Sequence, residues 1–219
     1  MNKHIILFLV CFFYSISSTA NELPQQLIVP GGIAIIPIAE LNQALPTVFY
    51  KNNRVAVSKS KTHWLALIGI PLSAQAGEHK ITVKTKNIHY QISFNVTDKD
   101  YPAQYLTIKK KRMVTGFTKA DLTKINADKK AMSKAKSTWI DQVINTEFIT
   151  PVDGRLSSLF GLKRFFNKIP KRPHNGLDIA AITGTAIIAP APARVIDTGN
   201  YYFNGNTVFL DHGQGLLSA

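Results

Sequence analysis

Short β-prone stretches separated by turn-forming residues fill the chain between residues 21 and 108. Turn signals occur at Pro30-Gly31-Gly32, at Asn52-Asn53, where asparagine tolerates a positive φ, and at Lys86-Asn87. The predicted strands are Gln26–Val29, Ile33–Ile38, Thr47–Tyr50, Arg54–Val57, Trp64–Ile70, Lys80–Lys84 and His89–Val96. Polar and apolar residues alternate along the last of these, so one face should lie in a core and the other in solvent. This pattern predicts a small β-sandwich-like domain.

The histidines of this region are scattered along it and accompany no catalytic pattern. We interpret His63, His79 and His89 as surface or edge residues rather than as metal ligands. The β-rich region therefore offers no candidate site residue, and the chemistry of the chain must be sought further along.

Residues 109–147 are basic and have a helical pattern. The run Lys109–Arg112 is followed by Thr118, which can cap a helix with Asp121 three residues later. Apolar residues then recur at helical spacing, namely Leu122, Ile125, Met132, Ala135, Trp139 and Val143. A basic helix of this kind could touch an anionic surface, but we interpret it as a solvated linker helix packed on one domain.

Glycine, proline and short β-prone runs return between Phe148 and Ala219. Strand candidates are Thr185–Ala189, Arg194–Asp197 and Asn206–Asp211. This composition predicts a second, glycine-rich β unit. The chain as a whole is therefore expected to be mainly β, with a linker helix between its two units.

The first 20 residues have the pattern of a secretory signal peptide. A positive start at Lys3 and His4 precedes the apolar run Ile5–Tyr14, which is shorter than the roughly 20 residues that a spanning helix needs. Small residues at Ser18-Thr19-Ala20 suit a signal peptidase. An uncleaved membrane anchor is the alternative, but the polar residues that follow favour cleavage. We expect export to the periplasm or cell envelope, with no stable membrane span afterwards.

Cysteine content and net charge limit the disulfides and the kinds of partner that are compatible with this chain. Cys11 is its only cysteine, so the mature protein would need no disulfide. The net charge of +13 indicates a polyanionic environment. Export argues against nucleic acid, and anionic wall polymers or membrane surfaces fit better. Solubility with loose electrostatic association is the simpler alternative, and nothing in the sequence indicates an oligomeric state.

The most informative stretch is His174-Asn175-Gly176-Leu177-Asp178. Proline before it and glycine within it disfavour a helix, and in an extended segment residues 174, 176 and 178 point to the same face. His174 and Asp178 would then face one point across Gly176, while Leu177 and Ile179 point into a core. Imidazole nitrogen and carboxylate oxygen are zinc ligands, so the pair is a candidate metal site, although the bare spacing is common by chance.

Four blocks of the C-terminal region resemble, in order and spacing, the opening half of a lysostaphin/LytM-type (β-lytic) zinc metallopeptidase domain. They are Gly154–Gly161, Pro173–Ala181, Gly184–Pro190 and Gly205–Gly213. The β-rich region resembles, more loosely, the N-terminal domain that precedes such peptidases in exported bacterial proteins. The resemblance implies an antiparallel β peptidase fold of the duplicated-hybrid-motif type. The expected divisions are a signal peptide (1–20), a β-rich domain (21–108), a linker with a helix (109–147) and an incomplete peptidase domain (148–219).

The resemblance also implies a zinc-dependent endopeptidase that cuts peptide cross-links of peptidoglycan. In that family the His and Asp of the first motif bind zinc, and they match His174 and Asp178. The third protein ligand is the second His of a later His-x-His motif, and further histidines assist proton transfer. Zinc would polarise the scissile carbonyl and lower the pKa of its water to about 7.

The sequence departs from the family pattern after Asp178. His212, the only later histidine, matches a structural Asp-His-Gly turn rather than a ligand, and the assisting histidines are expected beyond residue 219. We therefore expect the chain as given to hold two of three protein ligands and to be inactive. Unpaired strand edges and exposed apolar faces are expected in the incomplete unit. A lesser departure is Pro192-Ala193, where the family commonly has a turn with glycine.

Two functions are compatible with these residues. The first is a zinc metalloendopeptidase acting on peptidoglycan, which rests on the His174/Asp178 pair within the four matching blocks. The second is a non-catalytic peptidoglycan-binding or amidase-activating protein, since family members that lost ligands can act by binding alone. A nucleic-acid-binding role rests on charge only and is the weakest alternative.

Overall fold

The computed structural model describes residues 23–109 and 114–219, so the expected signal peptide and most of the basic run at 109–112 lie outside the described residues. The described elements are, in chain order, β1 Ile33–Glu40, β2 Thr47–Tyr50, β3 Asn53–Lys59, β4 His63–Gly69, β5 Gly77–Lys84, β6 His89–Val96, β7 Ala103–Leu106, α1 Lys119–Lys136, β8 Arg155–Ser158, β9 Lys163–Phe166, β10 Ile169–Pro170, β11 Asp178–Ala180, β12 Arg194–Tyr201, β13 Gly205–Asp211 and β14 Leu217–Ser218. The prediction of a mainly β chain with one helix is confirmed for this part of the chain.

The first six strands form one antiparallel sheet in the order β1-β4-β3-β2-β5-β6. The two ends of this sheet approach each other, because the Tyr90 hydroxyl on β6 donates to the Ile38 carbonyl on β1. Just beyond β6, the Thr97 N–H donates to the Ile28 carbonyl at 3.0 Å. Apolar side chains of these strands meet in a single core that includes Ala34, Val48, Ile68, Ile81, Val83 and Val96. The predicted sandwich-like domain is thus a nearly closed sheet around one core.

The strand bounds of β2 and β6 coincide with the predicted ones. In β6, Phe94 is buried and Asn95 is exposed, so the predicted alternation of faces is confirmed. The hairpin turn between β2 and β3 differs by one residue. It is formed by residues 51–52 rather than by Asn52-Asn53, because Tyr50 pairs directly with Asn53.

Two predicted strands do not form. Gln26–Val29 contributes only an isolated bridge between Leu27 and Ile33, because the chain reverses at once through the glycine-containing turn between them. Thr185–Ala189 is irregular, and Ile187 within it is 77% exposed. No described strand runs alongside this segment, so the β propensity of its residues is not stabilised by a sheet.

Helix α1 begins at the predicted cap. The Asp121 N–H donates to the Thr118 hydroxyl at 3.2 Å, and the Asp121 carboxylate accepts from the Thr118 N–H at 2.9 Å. The helix ends at Lys136, so Trp139 and Val143, which were assigned to its apolar face, lie beyond it. No helix among the described residues is long and apolar enough to cross a membrane.

The face that α1 buries agrees in part with the predicted one: Ile125 and Ala135 are buried as expected, but two other positions differ. Leu122 is 47% exposed, whereas Asp128 is buried. Ala135 packs with Tyr201 and Phe209 in a small cluster on β12 and β13. These contacts agree with the expectation of a helix packed on one unit of the chain.

The strands that follow α1 belong to three small sheets. Strands β12, β13 and β14 are antiparallel neighbours, and β8 pairs with β11 in antiparallel fashion. The third sheet, β10-β9-β7, departs from the expected antiparallel arrangement because β7 runs parallel to β9. A strand that follows the N-terminal sheet is therefore hydrogen-bonded to the C-terminal unit.

Several apolar side chains of the C-terminal unit are exposed, as expected, including Leu156, Ile182, Val195 and Val208. Leu177 is 58% exposed, which contradicts the prediction that it points into a core. The reason is that β11 begins only at residue 178, so Leu177 lies before the strand and does not share its alternation.

Candidate functional site

His174 lies in the irregular segment before β11, and backbone hydrogen bonds hold it against the loop between β8 and β9. Its N–H donates to the Leu162 carbonyl at 3.0 Å, and its carbonyl accepts from the Gly161 N–H at 2.7 Å. The side chain is only 8% exposed. The position of the ring is therefore fixed by the β8–β9 loop rather than by a strand of its own.

The hydrogen bonds of Nδ1 fix the orientation of the His174 ring. Nδ1 lies 2.9 Å from the Leu159 carbonyl oxygen and 3.2 Å from the Ser158 hydroxyl oxygen. A carbonyl oxygen only accepts, so Nδ1 donates in this bond, and Nε2 is the nitrogen that would bind a metal. Histidines that bind metals are oriented by an outer hydrogen bond of this kind.

Asp178 begins β11 and faces Nε2 of His174. Its Oδ1 lies 3.2 Å from Nε2 of His174, and its side chain is 51% exposed. The strand pair places Asp178 opposite Ser158, and the Ser157 hydroxyl donates to the Asp178 carbonyl at 3.1 Å. The structure thus brings the two predicted site residues together, with the His174 side chain buried and the Asp178 side chain half exposed to solvent.

Gly176 leaves the space beside this pair open. A Cβ atom at Gly176 would have one neighbour within 4 Å, Nε2 of His174 at 3.9 Å. The predicted gap between the two site residues is therefore present, and a larger side chain would extend over the nitrogen that is free to bind a metal.

Arg164 on β9 belongs to the same site, and the sequence interpretation missed it. Its Nη2 lies 3.0 Å from Oδ2 of Asp178 and 3.2 Å from the Ser158 hydroxyl oxygen. The guanidinium therefore binds one carboxylate oxygen while the other faces His174. Arg164 precedes Asp178 by 14 residues in a stretch with no predicted strand, so no local pattern indicated that the two would meet.

The other described histidines lie outside this pair. Nδ1 of His212 is 3.0 Å from the Pro192 carbonyl, and its Nε2 is 2.8 Å from the Ser218 hydroxyl. Both ring nitrogens are engaged and the ring is buried, which agrees with a structural role. The three histidines of the N-terminal sheet are on β4, β5 and β6.

The donors present fit part of a zinc site. His174 offers an oriented ring nitrogen and Asp178 a carboxylate oxygen, and zinc takes both kinds of ligand. Within residues 23–109 and 114–219, no group of three or more His, Cys, Asp or Glu side chains is arranged to hold a metal ion. The described site therefore supplies two protein donors.

Two family models match the chain in the order of its units. Residues 27–99 match the N-terminal domain of peptidase family M23, and residues 172–219 match peptidase family M23 itself. The first match covers the six-stranded sheet, and the second includes both His174 and Asp178. No curated protein matches the chain.

A solved structure supports the same assignment. The crystal structure of a Pseudomonas aeruginosa protein assigned to peptidase M23 is similar to this chain, with a TM-score of 0.69 and 33% sequence identity. The alignment covers 88% of this chain and 72% of that chain. The resemblance read from the sequence is confirmed, and the chain belongs to peptidase family M23.

Proposed function

We propose that this protein is a zinc metalloendopeptidase that hydrolyses peptide cross-links of bacterial peptidoglycan in the cell envelope. Membership of peptidase family M23 supports a peptidase. The observation that carries the proposal is the approach of Nε2 of His174 to Oδ1 of Asp178 at 3.2 Å, with Nδ1 bound to a backbone carbonyl. Zinc bound there would supply a Lewis acid that polarises the scissile carbonyl and activates water.

The residues of the chain prepare this pair in two ways. The Leu159 carbonyl orients the His174 ring through Nδ1, so that Nε2 is the nitrogen that would bind a metal. Gly176 and the half-exposed side chain of Asp178 leave the approach to the pair open. A peptide in extended form could therefore reach the site from the solvent side.

Peptidoglycan as the partner is supported by charge. The chain has a net charge of +13, and wall peptides and the polymers attached to them carry acidic groups that such a protein would attract. Export to the periplasm or cell envelope is part of the same proposal and rests on the signal-like pattern of residues 1–20.

We further propose that the described residues, 23–109 and 114–219, do not hydrolyse peptidoglycan by themselves. They supply two protein donors at the described site, whereas catalytic zinc sites usually have three. Fewer donors lower metal affinity. His212 cannot assist proton transfer in its present position, because both of its ring nitrogens are engaged elsewhere.

The test compares two forms of the protein on insoluble peptidoglycan, with and without a chelator. One form consists of residues 1–219, and the other also carries a His-x-His segment. We expect chelator-sensitive release of soluble fragments from the second form, loss of that release in its His174→Ala variant, and background release from the first form. A zinc-loaded second form that releases nothing would exclude the endopeptidase.

A non-catalytic role, as a peptidoglycan-binding or amidase-activating protein, is the second candidate. The observation that favours it is the two-donor site in the described part of the chain. Sedimentation with insoluble peptidoglycan at low and high salt tests the binding role, and addition to an amidase assay tests the activating role. A chain that neither sediments at low salt nor stimulates the amidase lacks this function.

A further inference from the structure

The parallel pair β7–β9 connects the N-terminal half of the chain to the candidate site. In this pair Gln104 lies opposite Arg164 and Tyr105 lies opposite Phe165. The rings of Tyr105 and Phe165 stack with their centroids 4.8 Å apart. Just beyond the strands, the Asn167 side chain accepts from the backbone N–H of residue 108 at 2.8 Å and donates to its carbonyl at 3.0 Å. Strand β9 is therefore held in place by β7.

Arg164 lies on β9 and in turn restrains the carboxylate of Asp178 by a hydrogen bond. Its side chain is 22% exposed, and the guanidinium bridges Oδ2 of Asp178 and the Ser158 hydroxyl. Asp178 is itself half exposed, and an exposed aspartate without such a partner samples several rotamers. The bridge selects the orientation in which Oδ1 faces His174 and Oδ2 is already bound.

Two unpaired buried atoms lie on the opposite residues of these strands. Oε1 of Gln104 and Nε of Arg164 are both buried and have no hydrogen-bond partner in the described part of the chain. One atom is an acceptor and the other a donor, and neighbouring strands lie only about 5 Å apart. Unpaired buried polar groups are unfavourable, so a hydrogen bond between the Gln104 amide oxygen and Nε of Arg164 would stabilise both residues.

We propose that Arg164 and Gln104 are positioning residues for Asp178. Gln104 holds the Nε edge of the guanidinium, Arg164 holds Oδ2 of Asp178, and Oδ1 is presented beside Nε2 of His174 as a single donor. This inference rests on the proposed function, because the pair that is positioned is the proposed zinc site. It means that strand β7, which follows the N-terminal sheet, helps to fix the geometry of that site.

Zinc affinity of the full chain, measured by competition with a chromogenic chelator, tests the proposal. Arg164→Gln and Arg164→Lys should each weaken binding about 10-fold, the size of effect that loss of an outer partner usually has. Gln104→Leu should weaken binding by a smaller factor, whereas Gln104→Glu, which keeps an acceptor, should bind as the unaltered chain does. Arg155→Gln alters an exposed arginine on β8 and is the matched control.

Unchanged or tighter binding by Arg164→Gln would overturn the proposal, since it would mean that the guanidinium only competes with the metal for Asp178. The variant His174→Ala separates this failure from failure of the proposed function. If His174→Ala binds zinc as well as the unaltered chain, the zinc pair itself is wrong. If it loses binding while Arg164→Gln does not, only the positioning role is wrong.

Should zinc binding by the unaltered chain fall below detection, the metal-free protein decides the question. The decrease in urea midpoint caused by Arg164→Gln should shrink by at least half in an Asp178→Asn background, and also in a Gln104→Leu background, because residues that act together are not additive. Equal decreases in all backgrounds would show that the three side chains are independent, and the proposal would be withdrawn.

Discussion

The side chain of Gln214 completes the edge of β3 at Val57. Its Oε1 accepts from the Val57 N–H at 2.9 Å, and its Nε2 donates to the Val57 carbonyl at 3.2 Å. Strand β2 pairs with β3 only as far as Val55, so the glutamine amide makes the two hydrogen bonds that a further strand residue would make. The turn after β13 is thereby attached to the N-terminal sheet.

Replacement of Gln214 by leucine should destabilise the protein, because it leaves the N–H and carbonyl of buried Val57 without these partners. We expect the free energy of unfolding in urea to decrease by about 1–3 kcal/mol, with faster hydrogen exchange at the Val57 amide. Gln91→Leu on the exposed face of β6 is the control. Equal losses in the two variants would show that the contact between the units contributes nothing.

Gly161 should not tolerate alanine. Its φ is 87°, and a Cβ atom would lie 2.1 Å from the ring of Tyr101, whose hydroxyl is bound to the Pro30 carbonyl. Gly116 has φ 75° with nothing within 4 Å of a Cβ, so Gly116→Ala measures the cost of the backbone conformation alone. We expect Gly161→Ala to lower the unfolding free energy by about 1–3 kcal/mol more than Gly116→Ala. Similar losses would mean that the Tyr101 ring moves aside.

Removal of the N-terminal cap of α1 should lower the stability of the protein by a predictable amount. Thr118→Ala removes the hydroxyl that accepts from the Asp121 N–H and should lower the unfolding free energy by about 1 kcal/mol. Thr123→Ala, at an exposed position inside the helix, should be neutral or slightly stabilising because alanine favours the helix. Helix content by circular dichroism and urea midpoints distinguish the two variants, and the same loss in both would contradict a capping role.

Stability in acid should depend on Asp128. The hydrogen bond from the Lys124 ammonium, followed by that from the Tyr202 N–H, lowers the pKa of the Asp128 carboxyl below its ordinary value of about 4. A lowered pKa in the folded state means that the stabilising contribution is present above about pH 4 and is lost as the pH falls through the folded-state pKa. The melting temperature of the unaltered chain should therefore fall more steeply below pH 4 than that of Asp128→Asn. Parallel curves would assign the acid sensitivity to other groups.

A side chain at Gly176 should interfere with metal binding without unfolding the protein. Nε2 of His174 is the one neighbour that a Cβ atom at this position would have within 4 Å, so valine would stand over that nitrogen and alanine would do so less. We expect zinc affinity to decrease in the order glycine, alanine, valine, with little change in urea midpoint. Equal affinity in all three forms would place the metal elsewhere.

The sequence correctly predicted features that depend on residues close together in the chain. The meeting of His174 and Asp178 was predicted, but the predicted extended segment was wrong: the chain bends at Gly176, and an extended chain would hold residues four apart about 13 Å from each other. The start of α1 depends on Thr118 and Asp121 alone. The end of that helix was overestimated, because the apolar spacing continues to Val143 although the backbone leaves the helix at residue 137.

Features set by distant pairing could not be predicted in the same way. Arg164 reaches Asp178 because β9 and β11 are both held by other strands, and none of the four-residue strands around the site has a distinctive pattern. The Gln214–Val57 contact joins residues 157 positions apart. A strand was predicted at Thr185–Ala189 and does not form, because apolar β-branched residues make no strand where no partner strand lies beside them.

The parallel pairing of β7 with β9 also limits how this protein can be divided. A peptidase fragment that begins at residue 148 contains His174, Asp178 and Arg164 but lacks the strand on which β9 is aligned. A hybrid that joins a foreign N-terminal domain to such a fragment would have the same defect. A transplanted peptidase unit would have to begin ahead of Tyr101, whose ring packs against Gly161, and would therefore carry with it the segment that joins the two halves.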